Sequence, residues 1–298
     1  MSLRGRRIAK PDAQFAWASQ STTDNETIPD RSPIQFQDGA IGLPTYHPSL
    51  NALRGLAGRA RMAPVVRRLV ADQMTPVAAF ARLSADAEHA FLLESVVGGE
   101  RIARYSFVGA RPSAVFRAKG RVASIERADG SMELLADTTD PLARLRDALE
   151  DWQTCPRGAG LPLSIALPRF TGGAVGYAGY DTIRYYEDLS QASQTAGPTD
   201  DRDLDDILFG IYDEMVIFDH VSKTVLVVAH ARLEEGTLDA AYDHACRRID
   251  AIASTLTQPG TSVGTELDLD ARPDAVCTST FDKPAFEQVV RRAKEYIL

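Results

Sequence analysis

Cysteine is scarce in this chain. Cys155, Cys246 and Cys277 are its three cysteines among 298 residues, and they lie far apart. No CxxC or CxxH spacing occurs, which argues against a structural zinc site, and an odd count gives no disulfide framework. The pattern suits a reducing compartment, so a cytoplasmic location is expected. Long apolar runs are missing as well; none approaches the roughly 20 residues that span a bilayer, and no membrane role is expected. Nor is there a basic face interleaved with aromatics. The 33 Lys and Arg residues against 41 Asp and Glu leave a net charge of −8, and no nucleic-acid partner is expected. The histidines, His47, His89, His220, His230 and His244, form no HExxH or triad spacing, and no GxSxG elbow occurs. No internal repeat of fixed period is present.

What remains is an ordinary globular composition, 44% hydrophobic and 25% charged. Residues 1–46 are polar and rich in Ser, Thr, Asp and Pro, and read as a disordered N-terminal extension. Its first ten residues carry four basic groups in the manner of a transit peptide, but Asp12, Asp24, Glu26 and Asp30 soon follow and no amphipathic stripe forms. Beyond it, Val65–Asp72 reads as a strand and Thr75-Pro76 as a cap and first turn of a helix through Leu83. Short apolar runs at Ala114–Arg117, Val122–Glu126 and Met132–Leu135, broken by Gly120 and Gly130, suggest a meander. Asp140-Pro141 starts a helix reaching about Trp152. Residues 188–206 read as a surface loop, Ile207–Asp219 and Thr224–His230 as strands, and Glu234 to about Leu256 as a long amphipathic helix. Strands and helices come in runs rather than in alternation. The expected class is α+β, an antiparallel β-sheet packed with helices.

Residues 261–280 read as a linker, and Asp282-Lys283-Pro284 opens a last helix. Phe286, Val289, Val290, Ala293, Tyr296 and Ile297 recur on one face of it, and an apolar stripe of that kind needs a partner surface. With no glycine cap or breaker before Leu298, this helix is expected to be the start of a domain cut short.

Three segments carry polar groups in suggestive places. In FLLESVVGGERIARYSFVG, residues 91–109, two apolar runs flank a Gly98-Gly99 turn and read as a hairpin. Arg104 suits a carboxylate, and Glu94 or Ser95 suits an ammonium, so the hairpin has the chemistry to hold a small zwitterion. The same pattern also describes a half-buried hairpin whose polar residues merely mark its solvated ends. PRFTGGAVGYAGYD, residues 168–181, is glycine-dense but matches no phosphate loop; glycines among aromatics in a strand allow close backbone approach or a bulge. Asp213-Glu214 is an acidic pair, but neighbours in a strand point to opposite faces and do not converge on one ion.

Taken together, VADQMTPVAAFARL, LLES…GGER…RYSFVG, PRFTGGAVGYAGYD, VIFDH and AFEQVVRRAKEYIL resemble, in this order, the anthranilate synthase component I family. The resemblance runs from about Ser49 to Leu298. It implies that residues 47–260 form the N-terminal, tryptophan-binding domain, and residues 281–298 the first helix of a truncated chorismate-binding domain. It implies an enzyme that converts chorismate and ammonia to anthranilate and pyruvate. Its glutamine amidotransferase subunit would supply the ammonia, L-tryptophan would act as feedback inhibitor, and Mg²⁺ would be bound by the missing C-terminal domain. Leu93, Glu94, Ser95, Arg104, Tyr105 and Ser106 are the tryptophan-binding residues carried over, with no catalytic residue in this chain, which alone is expected to be inactive. Two alternatives stand beside it: component I of aminodeoxychorismate synthase, whose sequence around Glu94-Ser95 usually differs, and a non-catalytic amino-acid-binding regulator.

Overall fold

The computed structural model describes residues 45–55, 60–70, 73–94, 104–135, 138–150, 152, 165–187, 200–233, 237–259 and 278–297. Residues 1–44 of the expected extension, most of the linker and the hairpin turn with Ser95 lie outside these residues.

Among the described residues, eleven strands form two sheets, every pairing antiparallel. The first sheet contains β1 (Tyr46–His47), β2 (Met62–Val70), β3 (Ala90–Leu93), β4 (Tyr105–Ala110), β10 (Glu214–Asp219) and β11 (Thr224–Arg232), in the order β1-β2-β11-β10-β4-β3. The second contains β5 (Ala114–Lys119), β6 (Val122–Arg127), β7 (Met132–Leu135), β8 (Gly173–Ala178) and β9 (Ile207–Tyr212), in the order β7-β6-β5-β9-β8. The helices among the described residues are α1 (Leu50–Arg54), α2 (Pro76–Leu83), α3 (Pro141–Glu150), α4 (Leu238–Thr257) and α5 (Lys283–Glu295), with a 3-10 turn at Tyr180–Tyr185. This is the α+β architecture that the run-like order of elements predicts.

Local chemistry explains the helix starts. Thr75, Thr237 and Asp282 each accept a hydrogen bond from the backbone N–H three residues on, and prolines fill the first turns of α2 and α5. Asp140 does the same for α3 through Ala143 N. The strand expected from Val65 begins earlier, at Met62, and takes in Pro64. A proline is tolerated there because β1 pairs only with Val66 and Arg67, so the ladder asks nothing of the missing N–H.

The first sheet is covered on both faces. One face carries Val65, Val108, Val216, Val225 and Val227 against Ala245, Ile249 and Leu256 of α4 and Ala79 and Leu83 of α2. The other carries Val66, Phe91, Ile217 and Val228 against Ile165, Phe170 and Tyr212. Double coverage is why β10 and β11 read as unbroken apolar runs rather than alternating ones. The second sheet packs Phe116, Ile125 and Ile211 against Leu145 of α3.

One expectation needs correction. Ile207–Asp219 is not one strand: it divides into β9 and β10, which belong to different sheets, with Asp213 at the break. The chain crosses between the sheets a second time between β4 and β5, at Arg111–Ser113. Ser113 N donates to Ile211 O at 2.9 Å, tying the two crossings together. In the glycine-dense segment, close approach is the reason for Gly176. A Cβ there would overlap the Leu208 carbonyl oxygen and stand 2.6 Å from Phe209 Cα.

Helix α5 places Phe286, Val289 and Val290 on an exposed face, as do Tyr296 and Ile297 just beyond it. The stripe read from the sequence is therefore present, and no described residue buries it.

Candidate functional site

The hairpin singled out in the sequence forms one edge of the first sheet, with β3 outermost. Leu93 pairs with Phe107 as the last rung of the β3–β4 ladder. Alternation along β4 sends Tyr105 and Phe107 to the face shared with Phe91, Phe170 and Tyr212, and Ser106 and Val108 to the opposite face. The rings form a connected set: Tyr105 to Phe107 at 6.2 Å between centroids, Phe107 to Phe170 at 5.4 Å, and Phe91 to Tyr212 at 4.8 Å. The carried-over residues thus do not line one surface. Leu93 is 46% exposed at the edge, Glu94 is exposed next to it, Ser106 is fully buried, and Ser95 lies outside the described residues.

Arg104 is already engaged. Its Nε and Nη2 donate to the two carboxylate oxygens of Asp219 at 3.2 and 2.9 Å, and its guanidinium carbon lies 4.9 Å from the Tyr105 ring centre. The hydrogen bonds to Asp219 raise the Arg104 pKa. Burial pushes Asp219 upward, but the bonds from Arg104 and from Ser222 outweigh it and hold the carboxyl below its usual range. Asp219 Oδ1 also accepts from Val221 N and Ser222 N, closing the turn between β10 and β11. Ser106 Oγ stands 2.7 Å from His220 Nε2. Two of the five N–H groups of Arg104 are used by Asp219, leaving three directed elsewhere. The hairpin thus carries a guanidinium over an aromatic ring at the start of β4.

A second cluster sits where the sheets meet, and sequence reasoning missed most of it. Arg248 of α4 donates through Nη2 and Nη1 to Asp213 at 2.6 and 3.1 Å, and through Nε to Glu214 at 2.7 Å. The acidic pair expected to diverge converges on one guanidinium, because Asp213 lies at the break between strands rather than within a ladder. Burial raises the Glu214 pKa, with Arg248 opposing it. Burial would lower that of Arg248, but the two carboxylates outweigh this and raise it. His230 beside them is 2% exposed; its Nδ1 faces the Asp213 carbonyl at 3.0 Å, which makes Nδ1 the protonated nitrogen. Its burial lowers its pKa. A histidine inside the apolar run TVLVVAHAR, and an arginine on the stripe shared by Ala245, Ile249 and Ile252, were the signals available. Among the described residues, no group of three or more His, Cys, Asp or Glu side chains is placed to hold a metal ion, and no helix is long and apolar enough to cross a membrane.

The described residues thus form two antiparallel sheets braced by helices, with an Arg248–Asp213–Glu214 cluster at their seam and the Arg104–Asp219 pair beside the β3–β4 hairpin. The family described as chorismate binding enzyme matches residues 88–298, and the chain belongs to that family. It is 32% identical over 255 residues to anthranilate synthase component 1 of Acetivibrio thermocellus, covering 85% of this chain and 48% of that protein. It is 32% identical over 217 residues to the probable anthranilate synthase component 1 of Schizosaccharomyces pombe, covering 72% and 38% respectively. Among solved structures, anthranilate synthase component I from Streptococcus pneumoniae TIGR4 aligns with a TM-score of 0.44 and 23% identity, over 76% of this chain and 44% of that one. The resemblance to the anthranilate synthase component I family is borne out by the two curated relatives. The chain spans about half the length, or less, of the curated relatives it matches.

Proposed function

We propose that this chain is the N-terminal, regulatory part of an anthranilate synthase component I, a cytoplasmic enzyme forming anthranilate and pyruvate from chorismate and ammonia. A glutamine amidotransferase subunit supplies the ammonia. The observation that carries the reading is the 32% identity to an anthranilate synthase component 1 sustained over 255 residues. In this reading Mg²⁺ serves the lyase chemistry in the chorismate-binding domain.

The regulatory ligand in this reading is L-tryptophan, held at the open end of the β3–β4 hairpin. Support comes from the Tyr105 ring and the Leu93 side chain as apolar surface for an indole, and from the unused N–H groups of Arg104 for its carboxylate. Exposed Glu94 and neighbouring Ser95 suit the ammonium. Inhibition is then a coupling free energy, tryptophan favouring an arrangement that binds chorismate poorly.

The test is tryptophan calorimetry on the 298-residue chain and on the full-length enzyme, alongside a product assay with chorismate and glutamine. Anthranilate formation and saturable tryptophan heat are expected, with Arg104→Gln weakening tryptophan about tenfold. Aminodeoxychorismate as product would move the protein to the sister branch. Absence of heat in both proteins would remove the regulatory assignment.

A further inference from the structure

The two crossings between the sheets, at Arg111–Ser113 and at Asp213, border a cavity of about 540 Å³ roofed by α4. That volume lies within the range of about 300–1,000 Å³ typical of small-molecule sites. Three of the four carboxylate oxygens lining it are held by one arginine. Both oxygens of Asp213 and one of Glu214 are held by Arg248. These three charges sum to −1, and Arg111 and Arg232, which also line the cavity, add +2, for a net +1 with the histidines neutral.

Arg111 stands out in that balance. Its guanidinium makes no hydrogen bond or close salt bridge among the described residues, although its charge acts on Glu214, opposing the burial that raises that carboxyl's pKa, whereas Arg232 lies over the Trp152 ring at 4.2 Å. Arg111 also borders two smaller cavities, of about 170 and 220 Å³, so its side chain sits at the junction of three hollows. Its backbone is left-handed, at φ 52, immediately before Pro112. Glycine suits such a position far better than arginine. The backbone is held there by the Arg111 N–H donating to His89 O at 3.0 Å. An exposed long cation in a strained conformation, making no hydrogen bond among the described residues and lining a cavity, is a combination expected of a ligand contact.

We propose that the seam cavity binds a small oxyanion, a carboxylate or phosphate, with Arg111 as its principal contact and Arg232 and His244 flanking it. The planar fork of Arg111 presents paired N–H donors to two oxygens of one anion, the geometry that both classes share. His244 reaches the same cavity from α4. The paired state of Asp213 is what makes room for an anion beside two carboxylates: its charge is turned toward Arg248. The site is separate from the hairpin, and it stands whether or not tryptophan binds there.

The test uses the 298-residue protein with inorganic phosphate and succinate as separate probes, read by calorimetry and thermal unfolding, with sodium chloride matching ionic strength. At least one probe is expected to bind saturably and raise the unfolding temperature beyond the salt control. A response to phosphate alone assigns the phosphate class, and a response to succinate alone the carboxylate class. Arg111→Gly relieves the left-handed backbone and so keeps or raises basal stability, yet it is expected to weaken binding by about tenfold or more. Arg111→Gln, which retains most of the side-chain bulk, must lose the response as well. The proposal is overturned if neither probe exceeds the salt control, or if either variant binds as the wild type does.

Discussion

Arg248 grips Asp213 across thirty-five residues of chain, with Nη2 to Oδ1 at 2.6 Å and Nη1 to Oδ2 at 3.1 Å. Asp213 is the residue at which the chain leaves one sheet for the other, so this pair fastens α4 over the crossing. The same guanidinium holds Glu214, and all three side chains are largely buried.

Removing one member of such a set leaves the others charged and without a partner. Arg248→Met is expected to cost about 3–5 kcal/mol, measured as a shift in the urea midpoint. Adding Asp213→Asn and Glu214→Gln to that variant should recover much of the loss, since the buried charges go with their partner. A single variant as stable as the wild type would show that water reaches the seam and screens it.

Stability should also fall on mild acidification because of His230. Burial holds its pKa below the ordinary value of 6.5, so the unfolded chain takes up a proton that the folded chain refuses. The contribution is complete above 6.5 and is lost as pH falls from there toward the lower folded value, with a slope of at most about 1.4 kcal/mol per pH unit. His230→Gln keeps a hydrogen-bond donor and lacks the titration. Unfolding free energies of the two proteins should therefore converge as pH drops from 7 to 5; parallel curves would refute the assignment.

Two glycines should respond oppositely to alanine. Gly176→Ala drives a methyl group into the backbone of β9, where neither strand can yield without breaking the ladder. A loss of at least about 1–3 kcal/mol is expected. Gly55 closes α1 in right-handed geometry at φ −66, and among the described residues its Cβ would meet the Ala52 carbonyl oxygen at an ordinary 3.5 Å. Gly55→Ala should be neutral or stabilise by up to about 1 kcal/mol. Thermal unfolding of the pair measures both.

In the intact enzyme, Ser95→Phe is expected to abolish tryptophan inhibition while sparing turnover. A bulky ring beside Glu94 would occupy the place assigned to the ligand's ammonium. Initial rates with and without tryptophan decide the matter, and a variant that remains inhibited would sink the hairpin site.

Much of the fold could be read from local chemistry. Thr75-Pro76, Asp140-Pro141 and Asp282 start helices where the residues say they should, because capping is settled within three residues of chain. The strands around Gly120 and Gly130 were equally legible. The split at Asp213 was not, since membership of one sheet or another depends on residues a hundred positions away. The convergence of Asp213 and Glu214 on Arg248 was hidden for the same reason. Strand alternation alone, however, already separates Tyr105 from Ser106. Arg111 carried one local clue, a cation directly before a proline at the end of an apolar run.

The two crossings also determine how the molecule can deform. Sheets joined by one strap could pivot, but these share two, laced to each other by Ser113 and Ile211, like pages sewn at a spine. The free margins at β1 and β7 can fan and fray while the binding edge stays shut. Amide protons near Ser113 and His230 should consequently outlast those of the outer strands in deuterium exchange, making the seam the last part of the protein to come apart.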